Sequence, residues 1–223
     1  EHISVRAKAL SAEEAIGKPE KNDYPLAKGK ERMMEALFHG ARGQAFSDRF
    51  GNWEGSIAEI LALDMEDSFD SALLVACLNA ALCSRGDVCD TVHCRDDGPQ
   101  NCAYEVPEFF RQQGLEAPTV LIGYQPRLAE ALAGLGELRI VDLDEDNHGL
   151  EKAGTEILPP ERTAEAIDGA KSAWITGSTV VNGTISDFID LEIPSIFFGV
   201  TIAGPAHVLG LRRFCAKGIK GVA

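Results

Sequence analysis

From residue 119 onward the chain alternates short apolar runs with helix-patterned segments, and this alternation restricts the fold more than any other feature. The runs are 119–123 (T-V-L-I-G), 138–143 (L-R-I-V-D-L), 172–176 and 195–200 (S-I-F-F-G-V). Helical spacing is read over 126–135, with proline at its start, over 161–170 and over 205–217. Residues 155–158 read as a short extended piece and 219–222 as an edge strand. Strands separated by helices need crossover connections, which are right-handed and build a parallel sheet. The expectation is an α/β chain with a Rossmann-like domain over residues 115–223.

A sheet of that kind takes ligands beyond the carboxyl ends of its strands. The residues expected there are Gly123-Tyr124-Gln125, Asp142, Asp144, Thr176 to Thr179, and 201–207. The stretch 174–189, W-I-T-G-S-T-V-V-N-G-T-I-S-D-F-I, predicts strand, tight turn and helix. Its turn sets free N–H groups of Gly177 and the hydroxyls of Thr176, Ser178 and Thr179 at a helix N-terminus, where the dipole favours an anion. Ser178 is the expected N-cap, and Asn182 falls on the same face one turn later. A capped helix in an ordinary sheet explains the same pattern. Asp142 follows Gly123 by 19 residues, where dinucleotide folds place a ribose-binding acid. The second and third glycines of G-x-G-x-x-G are absent, however. Gly204-Pro205-Ala206-His207 reads as another turn into a helix. There His207 would sit in the first turn, held neutral by the dipole and able to ligate or act as a base. A surface or packing histidine fits equally.

The N-terminal half is patterned differently. Ser11-Ala-Glu-Glu14 is a capping box before a short helix over 12–16. The breakers Gly17-Lys18-Pro19, Tyr24-Pro25 and Gly29 follow. Residues 29–38 read as a helix with Met33, Met34, Leu37 and Phe38 on one stripe. The glycine-rich stretch 39–56 reads as a loop or bent hairpin with short strands at 45–46 and 52–53. It is not a P-loop, since no Gly-Lys-Ser/Thr ends it. Helices are expected at 56–63, 67–84 (with Cys77 in the core) and 106–113.

Between these halves lies V-C-D-T-V-H-C-R-D-D-G-P-Q-N-C-A. Cys89, His93, Cys94 and Cys102 fall within 14 residues. Thiolate and imidazole are the donors that zinc and softer transition metals prefer. The metal-ligand candidates are therefore His93, Cys94 and Cys102. The spacing matches no zinc-finger pattern, and a set of structural cysteines with a loop histidine explains the same residues. Asp97-Gly98-Pro99 suggests a chain that folds back and brings Cys94 to Cys102.

Charge narrows the partners. A net charge of -14 and a pI near 4.7 argue against nucleic acid, which needs a basic face. No apolar run is long enough for a membrane span. Six cysteines in 223 residues do not read as a disulfide scaffold, and no signal peptide is visible, so a cytoplasmic setting is expected. The chain starts at Glu1 without methionine, which leaves its native start open.

The phrases I-T-G-S-T-V-V-N-G-T-I and F-F-G-V-T-I-A-G-P-A-H-V-L, with L-V-A-C-L-N-A-A-L and T-V-H-C upstream, resemble a family of bacterial and archaeal proteins assigned to heavy-metal chelation. The resemblance runs from about Gly40 onward. It implies an α+β domain over 1–114 like the N-terminal domain of enolases, a Rossmann-like domain over 115–223, and a site in the cleft between them. Its clearest matches are Thr176-Gly177-Ser178 and Gly204-Pro205. His93, Cys94 and Cys102 are read from this chain and not from the family.

Three readings follow. In the first, the chain binds a transition metal or metal chelate, with His93, Cys94 and Cys102 as ligands, Asp142 or His207 facing them, and Thr176 to Thr179 on an anionic group. In the second, an enzyme or sensor takes a nucleotide-like or phosphorylated small molecule, with Asp142 on a ribose and Gly177-Ser178 on a phosphate. In the third, the apolar C-terminal helix mediates a homodimer. No Ser-His-Asp, H-E-x-x-H or paired-carboxylate arrangement stands out, so no catalytic residue is assigned.

Overall fold

The computed structural model describes residues 4–21, 23, 24, 26 and 31–222. Strands β1 (Ser4–Leu10), β2 (Arg32–Phe38), β3 (Ala41–Ser47) and β4 (Trp53–Ser56) form an antiparallel sheet in the order β3-β2-β1-β4. β2 turns into β3 over His39 and Gly40, both at positive φ (48° and 79°), as a two-residue hairpin turn requires. The expected capping box starts α1 (Ala12–Ile16), and a second one, Ser56 with Glu59, starts α2 (Ile57–Ile60).

The expected helix over 29–38 is strand β2 instead; residues 29 and 30 lie outside the described residues, as do Pro25 and Gly29 among the breakers. Met33 and Met34 are adjacent and both fully buried, Met34 in the core under the sheet and Met33 with Leu10, Tyr24 and Val200 on the other side. A strand covered on both faces loses its alternation and imitates a helical stripe. The expected loop over 39–56 is likewise mostly β3, a full strand. Its polar Gln44 is buried and fully used: Nε2 donates to Glu35 (2.7 Å), and Oε1 accepts from the His93 N–H (2.8 Å).

Helix α3 (Ser68–Arg85) lies on this sheet, one residue from its expected bounds. Asp67 caps it and Gly86, in the left-handed region, ends it. Its middle, A-L-L-V-A-C-L-N-A-A-L, is apolar almost all round, the signature of a helix buried on more than one side. A Cβ on Gly43 would stand 2.2 Å from the Ala80 nitrogen and 2.3 Å from the Ala76 oxygen. Only glycine lets the helix backbone rest on β3 there.

The second sheet has the order β11-β10-β9-β5-β6-β8-β7. Its strands are β5 (Thr119–Ile122), β6 (Leu138–Val141), β7 (Glu151–Lys152), β8 (Thr155–Leu158), β9 (Ser172–Thr176), β10 (Ser195–Phe198) and β11 (Arg213–Phe214). All neighbours are parallel except β7, which pairs antiparallel with β8. Helices α4 (Gly98–Tyr104), α5 (Val106–Gln112) and α6 (Pro126–Ala133) cover one face, around Trp174, Leu121 and Phe214. Helices α7 (Thr163–Ile167) and α8 (Ala203–Leu209) pack on the other, around Val120, Ile175 and Phe197.

Two expected helices are corrected. After β9 the chain makes only short 3-10 turns, Gly177–Val180 and Ile185–Asp187, and Thr176, not Ser178, is the cap. The branched run Thr179-Val180-Val181 is stiff, and Gly183 breaks it at φ 73°. The last helix stops at Leu209 because Gly210 takes the left-handed conformation. Residues 219–222 add no strand to the parallel sheet. Ile219 bridges Val92, and Gly221 accepts from the Arg42 N–H (2.9 Å), so this tail covers the β3 edge. No described helix is long and apolar enough to cross a membrane.

Candidate functional site

The strand order reverses at β5, since β6 lies on one side and β9 on the other. A ligand crevice at such a switch point would open between the ends of β5 and β9. Gly123 and Thr176 end those strands, and the structure brings them together: a Cβ on Gly123, at φ 87°, would meet the Thr176 Cγ2 at 2.5 Å. Thr176 thus occupies the notch that Gly123 leaves. Gly177 is buried, and a Cβ there would stand 2.7 Å from the Ile202 nitrogen. The Thr179 hydroxyl donates to the Thr176 carbonyl (2.8 Å). Ser178 is half-buried and Asn182 is exposed beyond it.

Asp142 is an anchor of this edge. Its carboxylate accepts from the N–H of Tyr124 (2.5 Å) and of Asp144 (2.8 Å) and from Asn147 Nδ2 (3.1 Å). Those bonds tie the loops after β5 and β6 and use the lone pairs that a ribose would need. Facing it from the N-terminal side is Glu31, whose carboxyl is pushed up to about 7 by burial and then by Asp142, Asp48 and Asp144. Beside them Arg127 is buried at the start of α6. It pairs with Asp23 and donates to both oxygens of Glu130 (2.7 Å each), which pins the segment around Tyr24 over the sheet.

The loop after β10 is docked against the other half of the chain. Phe46 N–H donates to the Thr201 hydroxyl (3.1 Å). Asn79, fully buried in α3, accepts from the Gly204 N–H (2.6 Å) and donates toward the carbonyls of Gln44, Val200 and Thr201. The Gly204 N–H is therefore spent on α3. His207 is exposed in the last turn of α8, not the first.

The cysteine-bearing segment lies elsewhere, in the seam where the β3 edge, α4 and the C-terminal tail meet. Cys94 is buried, with its Cβ and Sγ packed on Gly98 at the start of α4. Its thiol is pushed up to about 12 by burial, then by the neighbouring thiols of Cys102 and Cys215. The Cys102 thiol is raised by burial, against the N–H groups of Ala216 and Lys217 that act on its sulfur. Cys215 is pushed up to about 11 by burial, with Arg213 opposing and Cys102 and Asp90 reinforcing. The residues between Cys94 and Cys102 open helix α4 and not the expected turn that folds the chain back.

His93 adjoins them. Its Nδ1 lies 2.6 Å from the Cys94 carbonyl, and its ring stands edge-on to Phe46. Burial lowers its pKa, and the bond to the carbonyl opposes that. A carbonyl only accepts, so Nδ1 carries the proton and Nε2 keeps a lone pair, the usual state of a metal-binding imidazole. A hollow of about 500 Å³ opens at this seam, lined by Cys94, Gly98, Asn101, Glu105 and Lys217. Among the described residues, no three His, Cys, Asp or Glu side chains already stand as a group able to hold a metal ion. Sequence reasoning placed Cys215 inside the last helix, whereas Gly210 ends that helix and Cys215 follows a short strand.

An antiparallel sheet and a largely parallel sheet sharing one buried helix define a mixed α/β protein. A family profile described as "Putative heavy-metal chelation" (DUF364) matches residues 107–223, and the chain belongs to that family. A DUF364 protein of unknown function from Desulfitobacterium hafniense DCB-2 has a similar fold, with a TM-score of 0.54 at 12% identity over 80% of this chain and 72% of that one. A DUF364 protein of unknown function from Pyrococcus horikoshii gives a TM-score of 0.49 at 14% identity over 77% and 69%. No curated protein matches.

Proposed function

We propose that this chain binds a thiophilic heavy-metal cation through Cys94 and Cys102, with His93 beside them, in the seam between its two sheets. The observation that carries the reading is that Cys94 packs on Gly98 at the start of α4, the helix that itself carries Cys102, beside a hollow of about 500 Å³. Thiolate donors select soft cations such as copper(I) and mercury(II), and such cations accept two thiolates without further ligands. The family description points the same way.

A site on a metal chelate or nucleotide at the strand ends has less support. Asp142 and the Gly204 N–H are committed to the fold, and Gly177 is enclosed. The test of the thiol reading is metal analysis of reduced chain purified without chelator, followed by titration with mercury(II) or copper(I). A stoichiometric cation lost in Cys94→Ser supports it. Equal uptake by Cys94→Ser and the unaltered chain would sink it.

A further inference from the structure

After β9 the chain runs Thr179-Val180-Val181-Asn182-Gly183-Thr184, and its two ends are tied together. Thr184 N–H donates to the Thr179 carbonyl (3.0 Å), and the N–H groups of Val181 and Asn182 both donate to the Ser178 carbonyl (3.0 and 2.9 Å). Val181 is buried in the core of the antiparallel sheet and α3, so this loop is one of the crossings between the halves. Asn182 and Gly183 are both exposed. Gly183 holds φ 73°, with open space where a Cβ would be. Among the described residues, nothing bonds the Asn182 side chain or the Gly183 N–H. The other described asparagines lack this combination. Asn79 and Asn147 are buried and bonded, Asn101 lies inside α4, and Asn52 is followed by the bulky Trp53 of β4.

We infer that Asn182-Gly183 is a self-modification site, where the folded chain deamidates without an enzyme and the isoaspartyl product loosens the Val181 crossing. The inference does not depend on the thiol reading above. The Gly183 nitrogen loses its proton to solvent and attacks the Asn182 Cγ. The Cγ–Nδ2 bond breaks, ammonia leaves, and a succinimide ring closes. Water then opens the ring at either carbonyl, giving aspartate or isoaspartate, with no electron gained or lost. The attack is intramolecular, which makes a weak amide nucleophile competent. Glycine matters because it has no side chain to shield the nitrogen or to oppose the left-handed turn. In isoaspartate the main chain runs through Cβ and is one atom longer between Val181 and Thr184. The Thr184 bond to Thr179 and the packing of Val181 then lose their register.

The test keeps the folded full chain in warm, mildly alkaline buffer below its melting point and weighs its proteolytic peptides over time. The peptide holding residues 182 and 183 should gain the mass difference between OH and NH2, and isoaspartyl methyltransferase should then label it. Peptides holding Asn79 and Asn147 should stay unchanged. Asn182→Gln, which needs a larger ring, should slow the gain at least about tenfold, a barrier higher by about 1.4 kcal/mol. Asn182→Asp carries the new charge without the longer main chain. It should melt with the fresh chain, while the purified isoaspartyl form melts lower. No gain at residues 182 and 183 in the folded chain overturns the inference, and a gain confined to chain held in urea would show that the fold protects the bond. Equal conversion of Asn182→Gln would place the reaction elsewhere and overturn it too. If the isoaspartyl form melts with Asn182→Asp, the loosening of the crossing is refuted.

Discussion

Asn79 and Glu31 both sit where the two halves meet, and each reads the junction in a different way. Asn79 has no exposed surface, and its amide serves Gln44, Val200, Thr201 and Gly204 at once. Asn79→Ala leaves a buried N–H and several carbonyls without a partner, at about 1–3 kcal/mol for each group left unpaired. A total loss of about 3 kcal/mol is expected in urea unfolding, and a loss under about 1 kcal/mol would show that water replaces the amide. Glu31 reports charge. Its ordinary value is 4.5 and in the fold it stands at about 7. The folded chain keeps a proton that the unfolded chain gives up, so this group's contribution to stability is fullest below about pH 4.5. It declines as pH rises to about 7 and is flat above. Glu31→Gln should therefore stabilise at pH 8 by about 1 kcal/mol and change little at pH 4. Melting curves of both chains at the two pH values check this, and an equal shift at both would reject it. Neither role was legible in sequence. A mid-helix asparagine and a glutamate before a strand acquire meaning only from residues far along the chain.

At the level of elements, pattern succeeded where local signals mark the ends and failed where contacts from far along the chain decide. α3, β5, β6, β9 and β10 fell close to their expected bounds because caps, glycine stops and apolar runs mark them locally. β2 failed because both its faces are covered. β3 failed because Gly43 and Gln44, which read as loop, serve a helix contact and a buried hydrogen-bond hub. α3 is the element that both sheets use, and two glycines grant the approach. At Gly204 a Cβ would meet Asn79 Oδ1 at 2.7 Å and the Leu78 and Leu82 side chains at 3.1 and 3.2 Å. Alanine normally outranks glycine in a helix by about 1 kcal/mol. Here Gly204→Ala should instead destabilise by about 1–3 kcal/mol, because side chains must shift in a packed contact. Gly43→Ala should cost more, since its obstacles at 2.2 and 2.3 Å are helix backbone and cannot rotate aside. Chemical denaturation of both variants tests the ranking, and Gly43→Ala as stable as Gly204→Ala would contradict the account of how α3 lies on β3.

The whole molecule is held together by chain that crosses between its sheets, and the candidate site shares that origin. Cys94 and Cys102 were visible as a local cluster, whereas the tail after the last parallel strand, which reaches the same hollow at Lys217 and Ile219, comes from far along the chain. That same tail goes on to cover β3: Ile219 bridges Val92, Gly221 accepts from Arg42, and the Gly221 N–H donates to Cys89 (3.0 Å). With Asn79 on α3 and the tail on the β3 edge, neither sheet can open without breaking contacts of the other. The expected behaviour is one cooperative unfolding transition. The two tryptophans can test it, because Trp53 belongs to β4 of the antiparallel sheet and Trp174 is buried in the parallel one. In Trp53→Phe, Trp174 fluorescence should follow the far-UV CD of the same chain through guanidinium. In Trp174→Phe, Trp53 fluorescence should do likewise, at a lower midpoint because a buried ring is cut down. Deleting residues 219–223 should then separate the probes, with Trp53 melting first as the uncovered β3 edge loosens. Separate transitions already present in the full chain would mean that the sheets are independent, and a seam between independent halves would be a poor place to hold a cation.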